Sequence, residues 1–143
     1  MRSVLLITRH ADVADLAVSL ERAALSAEVR APEHLAVDDN STVTDALVLD
    51  LRDVPAPAFD AIVKDAAERG IVVVAVLAAE QLDRVRADGD IDDFALLPVD
   101  PVELARRIER ALWRRHGIDT ENFVRCGALA LDLSNYRVTV DGE

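Results

Sequence analysis

Residues 71–77 form an unbroken aliphatic run, mostly β-branched, directly after Gly70. Such a run has no polar face. It fits a strand buried on both sides, as in the middle of a parallel sheet covered by helices. Four shorter runs accompany it: residues 4–7, a weaker one at 28–31, 46–49 and 94–97. The stretches between them carry helical spacing. Val13, Leu16, Ala17, Leu20 and Ala24 share one face, with Asp12 placed as an N-cap. Phe59, Ile62, Val63 and Ala66 define a helix over 58–69, after a loop marked by Pro55 and Pro57 and before the terminator Gly70. A short helix is expected over 81–87, then an acidic loop at 88–90. Pro101 opens a last helix with Leu104, Ala105, Ile108 and Leu112 inward. The polar stretch 33–44 reads as a short helix with a loop. Five β-α units in series predict an α/β fold, a doubly wound five-stranded parallel sheet of flavodoxin-like type with right-handed crossovers.

Asp50 ends the third run, and open α/β sheets place their sites at the carboxyl ends of such strands. The net charge of −11 argues against this stretch gripping nucleic acid by itself, because phosphate neutralisation needs clustered Lys and Arg. A single cysteine, Cys126, excludes an internal disulfide and a Cys-rich metal site, and a reducing cytoplasm is the expected compartment. Residues 4–7 are too few to span a bilayer and run into Arg9 and His10, so neither a signal peptide nor contact with a membrane is expected.

Beyond residue 116 the pattern changes. Leu129, Leu131 and Leu133 alternate before Ser134-Asn135, and Tyr136, Val138 and Val140 after it, as in an antiparallel β-hairpin. A lone hairpin is marginal in water. The expected division is a first domain over 1–116, a linker over 117–122, and over 123–143 the opening strands of a further, truncated domain.

Taken together, Asp45 to Asp50 as a third strand, Asp92-Asp93-Phe94 through Pro98, Pro101 to Leu104, and Gly127 to Asp132 resemble the receiver domain of bacterial response regulators of the OmpR/PhoB family. The second segment resembles the start of its winged-helix effector domain. The resemblance implies that Asp50 is the phosphoacceptor-equivalent. It also exposes departures. The family's acidic pair for Mg²⁺ corresponds here to Thr8 and Arg9; its strand-four threonine or serine corresponds to Ala78; its lysine before a cis-proline corresponds to Leu97 before Pro98. With Asp50 alone from that set, Mg²⁺ loses its oxygen ligands and the transferring phosphoryl group its main stabiliser. No cofactor, metal or catalytic residue is therefore expected. Arg9 has two readings: its guanidinium docks on Asp50 where the metal would stand, or it reaches out to solvent.

Arg84, Arg86, Asp92, Asp93, Phe94, Arg106, Arg107 and Arg110 place acid beside base over the fourth helix, fifth strand and last helix. By resemblance this face implies a homodimer with Arg107 opposite Asp92 or Asp93, and Trp113 as a late anchor; the alternative is a solvated face with local pairs. His10, His34 and His116 show no ligand-like spacing, and no glycine-rich phosphate loop follows the first run. The reading is a receiver and dimerisation domain of an atypical transcription regulator, probed upstream by a cognate kinase or another protein and reaching DNA only through a missing C-terminal part. Its alternatives are a conventional phosphoacceptor at Asp50 and a flavodoxin-like small-molecule module.

Overall fold

The computed structural model describes residues 2–34, 44–87 and 89–117. Five parallel strands form one sheet in the order β2-β1-β3-β4-β5. They are β1 (Arg2–Ile7), β2 (Leu25–Arg30), β3 (Ala46–Asp50), β4 (Val72–Leu77) and β5 (Asp93–Leu96). The expected doubly wound α/β sheet is present. β3 and β4 are buried at every residue, as their continuous aliphatic runs require. Alternate residues of β1, β3 and β4 (Leu5, Ile7, Leu47, Leu49, Val73, Ala75, Leu77) pack with Phe59, Val63 and Ala66 of α3 (Ala56–Arg69). The intervening residues Leu6, Val48 and Val74 point to the opposite face and are equally buried.

Four elements depart from the sequence expectation. The first helix is divided at Asp15 into α1 (Ala11–Ala14) and α2 (Leu16–Arg22). Its N-cap is His10 rather than Asp12, whose carboxylate is taken by Arg52. β2 begins at Leu25, earlier than its polar sequence suggested, because pairing with β1 from Arg2↔Leu25 supplies the order its side chains lack. α3 starts at Ala56, with Pro57 in the first turn, where its missing N–H costs nothing. Between β4 and β5 the expected helix over 81–87 is a 3₁₀ turn, Ala79–Arg84. There Gln81 Oε1 accepts the Ala78 N–H at 3.0 Å, and Arg84 turns its guanidinium inward.

α4 (Pro101–Leu112) buries Leu104, Ala105 and Ile108. A π turn, Trp113–Gly117, follows in a second unit of the chain. A 3₁₀ turn, Pro32–His34, follows β2. The rest of the 33–44 stretch (35–43), the linker past Gly117 and the hairpin within 123–143 lie outside the described residues. No helix among the described residues is long and apolar enough to cross a membrane.

Candidate functional site

The strand order reverses between β1 and β3, so their carboxyl ends open the crevice where such sheets bind ligands. Asp50 stands there at 0 % exposure, and Thr8, 3 % exposed, faces it from the end of β1. Both Asp50 oxygens are occupied. Oδ1 accepts from the Arg52 backbone N–H at 3.1 Å and from Arg52 Nε at 3.0 Å. Oδ2 accepts from the Thr8 hydroxyl at 2.7 Å and from Arg52 Nη2 at 2.8 Å. The guanidinium therefore grips the carboxylate bidentately, a geometry that suits its planar fork. Its other edge holds Asp12 at 2.9 and 3.2 Å. These bonds raise the Arg52 pKa above its ordinary value and, from the Arg52 side, pull the Asp12 carboxyl below the usual range.

The docked guanidinium was expected from Arg9, and the structure corrects the residue. Arg9 turns its side chain outward to pair with Glu33. Its backbone N–H instead donates to Asp53 Oδ2 at 2.7 Å. Thr8 facing inward forces this, because successive side chains at the end of a strand point to opposite sides.

Asp53 supplies a second carboxylate at the pocket. Its Oδ2 lies 3.0 Å from His10 Nδ1, and Asp50 Oδ2 lies 3.7 Å from the same nitrogen. Burial pushes the Asp53 pKa up, but the Arg9 N–H and the His10 ring more than offset it, leaving the group below its ordinary value. His10 is thus 42 % exposed at the mouth of the pocket with two buried carboxylates behind it. The signal in sequence was the charged tetrapeptide Asp50-Leu51-Arg52-Asp53, where a loop leaving a strand end bends back on itself; Asp53 N–H donates to Asp50 O at 2.9 Å.

Ala78 and Leu97 follow β4 and β5 at the same edge of the sheet and bring only apolar side chains. Leu97–Pro98 is a cis peptide. The β3–α3 loop is held from the β4 side by other groups. Gln81 Nε2 and Arg84 Nη1 donate to Leu51 O at 3.1 and 3.0 Å, and Arg84 Nη2 to Val54 O at 2.8 Å, with the guanidinium 5.4 Å from the Phe59 ring centroid.

That inward turn removes Arg84 from the expected charged face. Asp92, half-exposed, accepts the Val73 N–H on its carboxylate at 2.8 Å and extends the β4 pairing. Phe94 is half-buried against the α3 core. Arg107 pairs with Asp93 at 3.1 Å and with Glu103 at 2.8 Å within its own chain, and Arg106 pairs with Glu109 at 2.9 Å. Arg86 and Arg110 are exposed.

No family model matches the sequence, and no curated protein matches it. Solved structures do. A response regulator receiver domain from Clostridium thermocellum is 14 % identical at a TM-score of 0.65, over 82 % of this chain and 99 % of that one. The signal receiver domain of a histidine kinase from Syntrophus aciditrophicus is 22 % identical at 0.66, over 81 % and 93 %. A protein of a redox-sensor family of the streptococci, described as evolved from two-component response regulators, is 18 % identical at 0.67, over 92 % and 57 %. At such identities the likeness is one of fold, and the fold is that of a receiver domain.

The receiver resemblance implies Mg²⁺ at Asp50, and the residues present do not fit it. This hard cation needs a near-octahedral set of oxygens. It would meet a carboxylate with both oxygens engaged, Oδ1 by the Arg52 guanidinium and backbone N–H and Oδ2 by the guanidinium and the Thr8 hydroxyl.

Proposed function

We propose that the chain is the signal-integrating and dimerising part of an atypical regulator of OmpR/PhoB type, working without phosphorylation of Asp50. One observation carries this: the buried phosphoacceptor-equivalent is already neutralised by Arg52, two residues away in the same chain. An in-line phosphoryl donor would have to displace that guanidinium, with no metal and no lysine to stabilise the charge that develops. The streptococcal redox sensors supply a precedent for a receiver fold turned to another input. The resemblance of 123–143 to winged-helix strands supports DNA as the distant target. Acid and base on α4 and β5, beside the exposed Leu96 and Val102, support a self-complementary dimer face. In that dimer Arg107 exchanges its own-chain Asp93 for that of a second copy.

The test is incubation with acetyl phosphate and millimolar Mg²⁺, read by intact mass, with light scattering of wild type and Arg107→Ala alongside. The expected result is an unmodified chain and a dimer weakened by the substitution. A stoichiometric phosphate adduct that disappears in Asp50→Ala refutes the phosphorylation-independent reading.

A further inference from the structure

We propose that the cleft between α3 and the chain leading from Arg84 to Ile91 binds a small aromatic carboxylate, with the Arg84 guanidinium as its counter-charge. The proposal deepens the reading of the chain as a signal-integrating domain by naming a class of input, and it rests on that reading only for what the bound carboxylate does. Residues 79–84 form a 3₁₀ turn, and the chain leaves helical geometry at Val85, with φ −95° and ψ 119°. Where a helix over 81–87 would have lain against α3, a cavity of about 390 Å³ is left. Sites for small organic ligands span roughly 300–1,000 Å³, so this one takes a compact molecule.

The walls of the cleft are apolar and belong to the core. Phe59 and Val63, 8 % and 6 % exposed, line it from α3, and Val85 and Ile91 line it from the segment before β5. All four pack in or against the hydrophobic cluster under the sheet, so folding fixes the shape of the cleft. Two apolar walls from separate elements suit a flat ring.

Charge selects the rest of the ligand. The exposed side chains of the cleft, Lys64 and Arg86 against Asp60 and Asp90, balance in sign. Arg84 has no such balance. Half-buried, it donates only to carbonyls, Leu51 O at 3.0 Å and Val54 O at 2.8 Å, and it lies 5.4 Å from the Phe59 ring centroid. Among the described residues no carboxylate pairs with it, and its Nε–H has no acceptor. A partly desolvated cation held by neutral groups alone is stabilised by an anion beside it. A carboxylate at the Nε edge supplies that anion while its ring enters between the apolar walls. The same guanidinium grips the β3–α3 loop, which brings Arg52 to Asp50 and Asp53 to Arg9. Occupancy of the cleft therefore stiffens that loop without any contact to Asp50.

Calorimetric titration of the full chain with naphthoate tests this, with naphthamide as the matched uncharged probe. One naphthoate per chain is expected, with the amide at least tenfold weaker. Arg84→Gln should weaken naphthoate at least tenfold, and Val85→Phe, which keeps the wall apolar and narrows the cleft, at least fivefold. Hydrogen exchange of the backbone N–H groups of residues 52–54 should slow when naphthoate is saturating. Absence of saturable binding at millimolar naphthoate, equal affinity for the amide, or indifference to Val85→Phe each overturns the proposal. Indifference to a folded Arg84→Gln does the same; should that variant fail to fold, having lost its two loop bonds, the amide and Val85→Phe decide. Unchanged exchange at 52–54 overturns the link to the loop. The acetyl phosphate experiment fails or succeeds separately, since a phosphate adduct is read by mass and naphthoate binding by heat.

Discussion

Replacing Arg52 by alanine tests what holds the pocket. The substitution removes two charge-assisted hydrogen bonds, of 3.0 and 2.8 Å, from a carboxylate with no solvent exposure. Removing one partner of a buried pair typically costs ~3–5 kcal/mol, because the remaining charge is stranded. Two circumstances reduce this here. The Thr8 hydroxyl at 2.7 Å and the residue-52 backbone N–H at 3.1 Å remain on Asp50. Arg52 itself is 25 % exposed, so water follows where the guanidinium leaves. A loss of about 2–3 kcal/mol is expected. The Asp12 arm adds little, because that side chain is 56 % exposed and such pairs contribute ~0–1 kcal/mol. Asp50→Ala should cost less than Arg52→Ala, since the freed guanidinium keeps Asp12 and solvent. The double variant should therefore recover about 1–2 kcal/mol relative to the sum of the single losses. Urea unfolding at neutral pH, followed by circular dichroism, measures all three, and Arg52→Ala should melt about 10 °C below wild type for a domain of this size. A loss under ~0.5 kcal/mol in Arg52→Ala, or strict additivity in the cycle, refutes the view that the pair holds this pocket.

Two further outcomes follow from local features. Ala24 ends α2 at a positive φ of 66° with its side chain exposed, so Ala24→Gly should stabilise by about 0.5–1 kcal/mol in the same denaturation assay, against the usual penalty for glycine. Asp53 has a native pKa below its ordinary value, so its contribution to stability is complete above the unfolded carboxylate's pKa of ~3.9 and is lost as pH falls toward the lowered native value. Asp53→Asn should accordingly flatten the acid side of the stability–pH curve and leave its slope above about pH 6 untouched.

The sheet was legible because each strand's burial demands its composition: a run as apolar as 71–77 has no other place to go, and Asp50 marks the strand end by breaking such a run. The 3₁₀ turn between β4 and β5 was not legible. Residues 78–87 have ordinary helical propensity, yet Gln81 and Arg84 find better partners in Leu51 O and Val54 O, and tertiary bonds outweigh propensity. The pocket was half legible. Thr8 was placed by strand ending, and the same alternation that points Thr8 inward points Arg9 away, a consequence already contained in the period of two. Arg52 needed more, namely the turn that brings residue 52 back over residue 50. That tether has an energetic consequence. A counter-charge two residues from the acid it neutralises is present at fixed, high effective concentration, whatever ions the solution holds. At the rim of the pocket His10, 42 % exposed against Asp53, stays outside the reach of that tether.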